Sequence, residues 1–263
     1  MNSVLNWLGG RLARYLARDV HVHSAVPATS PERLLATLRP GDVLLVEGHS
    51  RVSSAIKYLT QSTWSHAALY VGPALLGDSN APPDHCFVEA DTVSGVRSVG
   101  IDAFAGMHTR ICRPLGLSPE ESQKLTAFAI ARIGSQYDLR NVIDLARYLF
   151  PTPPVPQRFR RKMLALGSGD PTRAICSTLI AQAFQSIRYP ILPVTVLAND
   201  DRPDCPDCVS EILSVRHHSL FAPRDFDVSP YFQVIKPTVE AGFDFHALKW
   251  GEQVGGLVDS NFD

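Results

Sequence analysis

The order of elements in this 263-residue sequence predicts an α+β fold. Patterns typical of short strands come early in the chain, helix patterns fill the middle, and the two do not alternate regularly. The composition, with 45% hydrophobic and 19% charged residues, is that of a folded globular protein. Because no internal repeat or clear linker interrupts the chain, we predict an N-terminal arm over residues 1–30 and one domain over residues 31–263.

Residues 4–18 carry the pattern of an amphipathic helix. Its charged side is formed by Arg11, Arg14 and Arg18, and its apolar side by the residues Val4, Leu5, Leu8, Leu12, Tyr15 and Leu16. Two interpretations stay open: a helix packed on the edge of the domain, or a helix at residues 4–18 that binds a membrane surface or a partner. The Gly9-Gly10 pair weakens both, because glycine is unfavourable inside a helix.

The strand patterns follow in sequence. "LRPGDVLLVEG" predicts a turn at residues 40–42 and a strand over 43–46, and "SRVSSAIKYLTQS" predicts a short helix. "SHAALYVG" predicts the next strand, and a loop rich in Gly, Pro, Asp and Asn then leads to two further strands, "CFVEA" and "TRICRP". These strands form the early β-rich part of the fold.

Helix patterns dominate the centre of the chain. Ser118 as N-cap, Pro119 at the first helical position and Glu121 completing a capping box predict a helix that runs to about Ile133 and stops at Gly134. "RNVIDLARYLF" and "AICSTLIAQAF" predict two more helices, separated by the extended "PTPPVPQ" and the basic "RFRRK". Residues 200–210 read as a loop, with short strands and loops after it.

Cys176, in "AICSTLIAQAF", is the first candidate for chemistry. It lies on the apolar face of that helix together with Leu179, Ile180, Ala183 and Phe184, a place where cysteine is ordinarily a small buried hydrophobe. Near a helix start, however, backbone N–H groups and the helix dipole stabilise a thiolate and can receive an oxyanion. An alternative start at Asp170-Pro171 would place Cys176 more than one turn inside the helix and weaken both effects.

His66 is the second candidate. In its strand, His66, Ala68 and Tyr70 point to one side. Glu89 lies in the next predicted strand, and if the two strands pair, Glu89 can lie opposite His66 and accept its second ring proton. A cysteine on a helix, a histidine on a strand and a neighbouring acid are the parts of an activated thiol nucleophile.

The remaining cysteines, the histidine pair and the glycines do not predict a second catalytic, metal or phosphate site. Cys86 and Cys112 occur in strand patterns and are predicted to lie in the core, while Cys205 and Cys208 form an isolated CxxC without the second ligand pair that structural zinc needs. The adjacent His217-His218 pair is a poor substitute, and no phosphate-binding loop is present. We therefore predict no metal and no cofactor.

The motifs "GDVLL", "SHAALYVG", "VEADTVSGV", "YDLRNVIDL" and "CSTLIAQAF", in this order, resemble the YiiX/YebB-like branch of the NlpC/P60 superfamily of cysteine hydrolases. "APRDFDVSPYF" is similar to the closing segment of that branch, so that the resemblance covers roughly residues 38–235. It implies a circularly permuted papain-like fold, in which an antiparallel sheet or small barrel packs against helices and the histidine strand precedes the cysteine helix.

Carried over residue by residue, the resemblance makes Cys176 the nucleophile, His66 the general base and Glu89 the group that orients the histidine. Tyr137, in "SQYDLR", is expected to be structural or to line the pocket, and Trp64 and Ser65, just before His66, are expected to contact substrate. Two segments are additions to what a minimal member of this family needs: the proline and basic segment at 151–170 and the arm at 1–30. Their roles stay open.

The resemblance implies a cysteine hydrolase that cleaves an amide, in a peptide or a peptidoglycan-like fragment, through an acyl-enzyme. Two alternatives stay open: a lipid-directed acyl hydrolase or acyltransferase similar to the lecithin:retinol acyltransferase group, and a catalytically retired binding module. Expected partners are a small-molecule, peptide or lipid substrate, and the formal net charge of -1 gives no reason to expect nucleic acid.

A cytoplasmic location is the expectation from the cysteines and the N-terminus. Five cysteines, an odd number in a chain of this size, fit reduced thiols, and no clear secretory signal opens the chain. No apolar run approaches the roughly 18 to 20 residues of a membrane span. Peripheral membrane contact through residues 4–18 stays possible, and the oligomeric state is open.

Overall fold

The computed structural model describes residues 29–75, 82–91, 94–135, 175–199 and 209–248. Within these residues, six strands form an antiparallel sheet in the order β4-β3-β2-β1-β5-β8, and two more form a separate hairpin, β6-β7. The strands are β1 (Val43–Val46), β2 (His66–Tyr70), β3 (His85–Asp91), β4 (Gly95–Gly100), β5 (Thr109–Pro114), β6 (Val194–Asn199), β7 (Val209–Ser214) and β8 (Phe232–Ile235).

Helices cover both faces of the six-stranded sheet. They are α1 (Pro31–Thr37), α2 (Arg51–Thr60), α3 (Pro119–Ile130), α4 (Ile175–Ser186), α5 (Pro223–Val228) and α6 (Pro237–Glu240). Short 3-10 helices occur at Gly72–Leu75, Ile101–Phe104, His218–Leu220 and Phe245–Ala247. An antiparallel sheet with helices on it, the helix of Cys176 among them, is the α+β architecture that the sequence predicts.

Strand β1 is buried on both faces, which explains its continuous apolar run. Val43 and Leu45 point to the core formed with α3 and α4, whereas Leu44 and Val46 point to the core formed with α1. In β2 the alternation separates Ala67, Leu69 and Val71, on the α4 side, from Ala68 and Tyr70 on the α1 side. The face assignment predicted for this strand is therefore confirmed.

Helix α3 begins as predicted and ends earlier. The Glu121 backbone N–H donates to Ser118 Oγ at 3.2 Å, and the Ser118 N–H donates to Glu121 Oε2 at 2.9 Å, which completes the capping box. The helix ends at Ile130 rather than Ile133. Gly134 follows with φ 88°, and its N–H donates to the Val96 carbonyl at 2.9 Å, so the turn ties α3 to β4.

Several sequence predictions lie outside the described residues. They are the helix at 4–18, the helix "RNVIDLARYLF", the segment 151–170, the Cys205-Cys208 motif, Tyr137 and the alternative helix start at Asp170-Pro171. Among the residues that are described, none of the helices is long and apolar enough to cross a membrane.

Replacing Arg113 with alanine is expected to lower the free energy of unfolding by about 3 kcal/mol, because a buried carboxylate loses its cation. Asp42 is 1% exposed, and Arg113 Nη2 lies 2.7 Å from its Oδ2. Urea unfolding measures the change. Lys124→Ala, at an exposed helix position, is the control and should stay within about 0.5 kcal/mol. A loss below about 1 kcal/mol in Arg113→Ala would contradict the argument.

Candidate active site

The candidate nucleophile and base lie on the elements that the sequence predicts. Cys176 is the second residue of α4 as described and is 4% exposed. Leu179, Ile180 and Phe184 of the same helix are fully buried, so its apolar face is the predicted one. His66 is the first residue of β2, opposite Val46 at the end of β1. Helix α4 packs across β2 and β3.

His66 contacts two of the predicted groups. Its Nε2 lies 2.7 Å from Glu89 Oε2, and its side chain also makes a hydrogen bond with Cys176. The His66 side chain is 27% exposed, so part of the imidazole ring faces solvent. The Glu89 side chain is only 4% exposed and is therefore buried. The fold therefore brings a thiol, an imidazole and a buried acid into one cluster.

The register differs from the sequence expectation. Glu89 lies opposite Ala68, and its carboxylate reaches His66 diagonally across the β2–β3 pair. Diagonal neighbours in an antiparallel pair are close enough for long side chains to meet. The expected position directly opposite His66 is wrong, although the expected contact forms.

Arg97, on β4, is a site residue that the sequence analysis missed. It lies directly opposite Glu89, and its Nε and Nη2 approach Glu89 Oε1 at 2.9 and 2.8 Å. The two carboxylate oxygens thus have separate partners, Oε2 with His66 and Oε1 with Arg97. A hairpin signal was present in "EADTVSGVRSV", because Ser94-Gly95 before an alternating run predicts a turn and a strand. That hairpin would have placed Arg97 near Glu89.

The contacts shift the pKa values of the histidine and the acid in opposite directions. Burial by itself lowers the pKa of His66, but the charge interaction and hydrogen bond with Cys176, followed by those with Glu89, raise that pKa well above its ordinary value. Burial raises the pKa of Glu89, yet the contacts with His66 and Arg97 outweigh it and leave that pKa lowered. The arrangement favours an imidazolium beside an ionised carboxylate.

Trp64 and Ser65 precede His66 and are both buried. The Trp64 indole N–H donates to Asp227 Oδ2 at 2.9 Å, and Arg110 lies over the indole ring. The Ser65 Oγ accepts a hydrogen bond from the Gly48 N–H at 2.9 Å. These contacts are internal to the protein, and substrate contact by Trp64 and Ser65 stays a prediction.

The other described cysteines lie in strands. Cys112 is fully buried in β5, as predicted, and Cys86 is half-buried in β3. Burial raises the pKa of Cys86 to about 11 and also raises the pKa of Cys112. Over the described ranges, no group of three or more His, Cys, Asp and Glu is placed to hold a metal ion.

Comparison with known families supports the same fold. Residues 37–149 match a family model described as a permuted papain-like amidase enzyme, YaeF/YiiX, C92 family. This match covers less than half of the chain and makes that part similar to the YaeF/YiiX family. The matched range contains His66, Glu89 and Arg97 and ends before Cys176. The mixed α+β structure agrees with the permuted papain-like fold that the sequence predicts.

Two of the similar proteins come from Escherichia coli. The chain is 25% identical over 188 residues to a protein of strain K12 named "Probable lipoprotein peptidase YaeF", a match that covers 65% of this chain and 64% of the relative. It thus spans less than two thirds of that relative's length. A crystal structure titled metalloprotein yiiX, from strain O157:H7, matches with a TM-score of 0.43 and 18% identity, over 75% of this chain and 96% of that one.

Proposed function

We propose that this chain is a cysteine amidase in which Cys176 is the nucleophile, His66 the general base and Glu89 the group that orients His66. The observation that carries the proposal is the position of His66, which contacts the Cys176 thiol and also Glu89 Oε2 at 2.7 Å. A thiol beside an imidazole that a carboxylate orients is the arrangement of an activated nucleophile. The description of the matching family as an amidase supports the same reaction class.

The hydrogen bond to Glu89 determines which ring nitrogen takes part. Because His66 Nε2 donates its proton to Glu89, Nδ1 is left to accept the proton of the Cys176 thiol. The thiolate attacks the amide carbonyl carbon and forms a C–S bond, while the carbonyl π electrons move to the oxygen. Backbone N–H groups at this end of α4 are the donors that we assign to the oxyanion.

Collapse of the tetrahedral intermediate breaks the C–N bond, and His66 gives its proton to the leaving amine. A water molecule then loses a proton to His66 and attacks the thioester. Breaking the C–S bond releases the acid, and the proton returns to the Cys176 thiolate. The partial exposure of the His66 ring supports this step, since water must reach the imidazole.

An amide in a peptide or peptidoglycan-like fragment is the substrate class that we favour. The word peptidase in the name of the YaeF relative supports it over a lipid ester. The word lipoprotein in the same name supports a peripheral membrane contact for this chain, for which residues 4–18 are the candidate. A retired binding module is disfavoured, because binding alone requires no acid-oriented imidazole at a thiol.

Alkylation of Cys176 by iodoacetamide at about pH 6 is the first test. An ordinary thiol is almost fully protonated there, whereas a thiol paired with an imidazolium reacts as a thiolate. We expect His66→Ala to slow the reaction at this pH by about 100-fold, because the neighbouring positive charge is lost. Peptide mass spectrometry over a range of pH measures each cysteine separately.

The protein supplies its own control for this experiment. Cys86, with a pKa of about 11, should stay unlabelled at pH 6 in both proteins. Cys112 is fully buried and should do the same. If Cys176 reacts at equal rates in wild type and His66→Ala, or only in the pH range of an ordinary thiol, the proposed function is wrong.

A further inference from the structure

Glu89 is a buried carboxylate whose charge needs compensation throughout the reaction. When His66 is an imidazolium, its positive charge offsets the negative charge of Glu89. When His66 has given its proton to the leaving amine, the imidazole is neutral and no longer offsets the charge on Glu89. Taking a carboxylate out of water without a cation is unfavourable, and such a group takes up a proton instead. Another permanent cation is therefore required at this step.

Arg97 meets that requirement by position and by chemistry. It lies opposite Glu89 across the β3–β4 pair, with Nε and Nη2 at 2.9 and 2.8 Å from Oε1. A guanidinium keeps its charge at every pH at which proteins are folded, and its planar donors fix a carboxylate in orientation. Arg97 leaves Oε2 free for His66. Its own side chain is 46% exposed, so its charge stays partly hydrated.

We infer that Arg97 is a positioning residue that keeps Glu89 ionised and its Oε2 aimed at His66 while the imidazole is neutral. This role rests on the proposed function and extends the cluster to a chain of four groups, Cys176, His66, Glu89 and Arg97. Arg97 acts through Glu89 and has no place in bond making. Among the described residues, Asp91 also approaches Arg97, with its Oδ2 at 3.8 Å from Nη2.

A purely structural role is the competing explanation. Glu89 and Arg97 form a cross-strand pair, and such pairs stabilise a hairpin by a fraction of a kcal/mol. A structural pair would change the melting temperature and the amount of folded protein. It would leave the pH dependence of the reaction at Cys176 unchanged, and this difference decides between the two roles.

The test compares Arg97→Ala and Arg97→Lys with wild type. Two quantities are measured against pH: the carbon-13 shift of the Glu89 carboxyl and the rate of Cys176 alkylation by iodoacetamide. Arg97→Ala should move the Glu89 titration toward higher pH, because the charge and hydrogen bonds that lower this pKa are removed. The acid limb of the alkylation profile, which is the low-pH range over which the rate at Cys176 rises with pH, should also move toward higher pH. Arg97→Lys keeps the charge and loses the two-point contact, so both of its pH profiles should lie between those of the wild type and Arg97→Ala.

With a peptide anilide that the wild type hydrolyses, Arg97→Ala should lower kcat by about tenfold, as loss of an outer hydrogen-bond partner does elsewhere, with KM almost unchanged. Lys57→Ala is the matched control. Lys57 pairs with Glu47 at 3.2 Å, and Glu47 also contacts a histidine, His108. This control should move neither the titration of Glu89 nor the alkylation profile.

The inference is overturned if Arg97→Ala leaves the acid limb where it is, or if Lys57→Ala moves it equally. A change in melting temperature alone also overturns it. Failure of the proposed function is distinguishable, because it is seen in the wild type: Cys176 would then react independently of His66 before any Arg97 variant is compared.

Discussion

Replacing Cys176 with serine is expected to lower the rate of amide hydrolysis by about 10⁴-fold or more, as loss of a nucleophile does in other hydrolases. The imidazole of His66 can take the proton of a thiol, but a serine hydroxyl is far less acidic and gives little alkoxide at neutral pH. The change from sulfur to oxygen is small in volume, so the buried face of α4 should still pack. The measurement is kcat on a panel of peptide anilides, with acyl nitrophenyl esters in parallel.

Cys86→Ser is the control, because it makes the same chemical change at a half-buried thiol outside the site. Its kcat should stay within about twofold of wild type, as for a change away from the reacting groups. Activity on esters and none on anilides would favour the lipid-directed alternative over an amidase. Hydrolysis by Cys176→Ser at the rate of the wild type would contradict the assignment of the nucleophile.

Replacing Glu89 with glutamine is expected to be more damaging than replacing it with alanine. Arg97 has donors only, so the amide oxygen of the glutamine must turn toward Arg97 and its NH₂ toward His66 Nε2. Nε2 then has to accept a hydrogen bond from this NH₂ group, so it carries no hydrogen, and the ring hydrogen sits on Nδ1. This tautomer cannot take the proton of Cys176, and kcat should fall by about 10³- to 10⁴-fold, as with the corresponding change in a serine protease triad.

In Glu89→Ala the imidazole is poorly oriented but free to adopt the productive tautomer, so this variant should keep about tenfold more activity than Glu89→Gln. Nitrogen-15 shifts of the His66 ring report the tautomer directly. Glu47→Gln is a matched control, because Glu47 also joins a histidine, His108, to a cation, Lys57. A glutamine variant more active than the alanine variant would contradict the argument.

The contacts of His66 and Glu89 also determine how the free energy of unfolding changes with pH. The raised pKa of His66 contributes stability that is complete below about pH 6.5, the ordinary value, and is lost as the pH rises through the folded value. The lowered pKa of Glu89 contributes stability that is present above its ordinary range and is lost as the pH falls through the folded value. Together they stabilise the fold in the mildly acidic range.

Local patterns predicted half of the described helices and strands, because their signals are contained in a few neighbouring residues; these elements are β1, α2, β2, β3, β5, α3 and α4. The apolar run of β1, the alternation of β2 and the capping box at Ser118 each form as predicted. Strand β4 was missed, since its apolar residues are interrupted by Arg97 and Ser98 and bounded by glycines. The end of α3 was placed three residues late, because its last turn is fixed by a contact between Gly134 and β4.

The sequence by itself determined the strand of His66, the helix of Cys176 and the side of each element that they occupy. The order of its motifs also indicated the resemblance to the YiiX-like hydrolases, which the family model matches over residues 37–149. Only the tertiary structure decided that Glu89 lies opposite Ala68 and that Cys176 comes beside His66. The physical reason is that the period of two fixes which face a residue takes, whereas register depends on pairing between strands distant in sequence. The partners of His66 are therefore a property of strand pairing and not of any single segment.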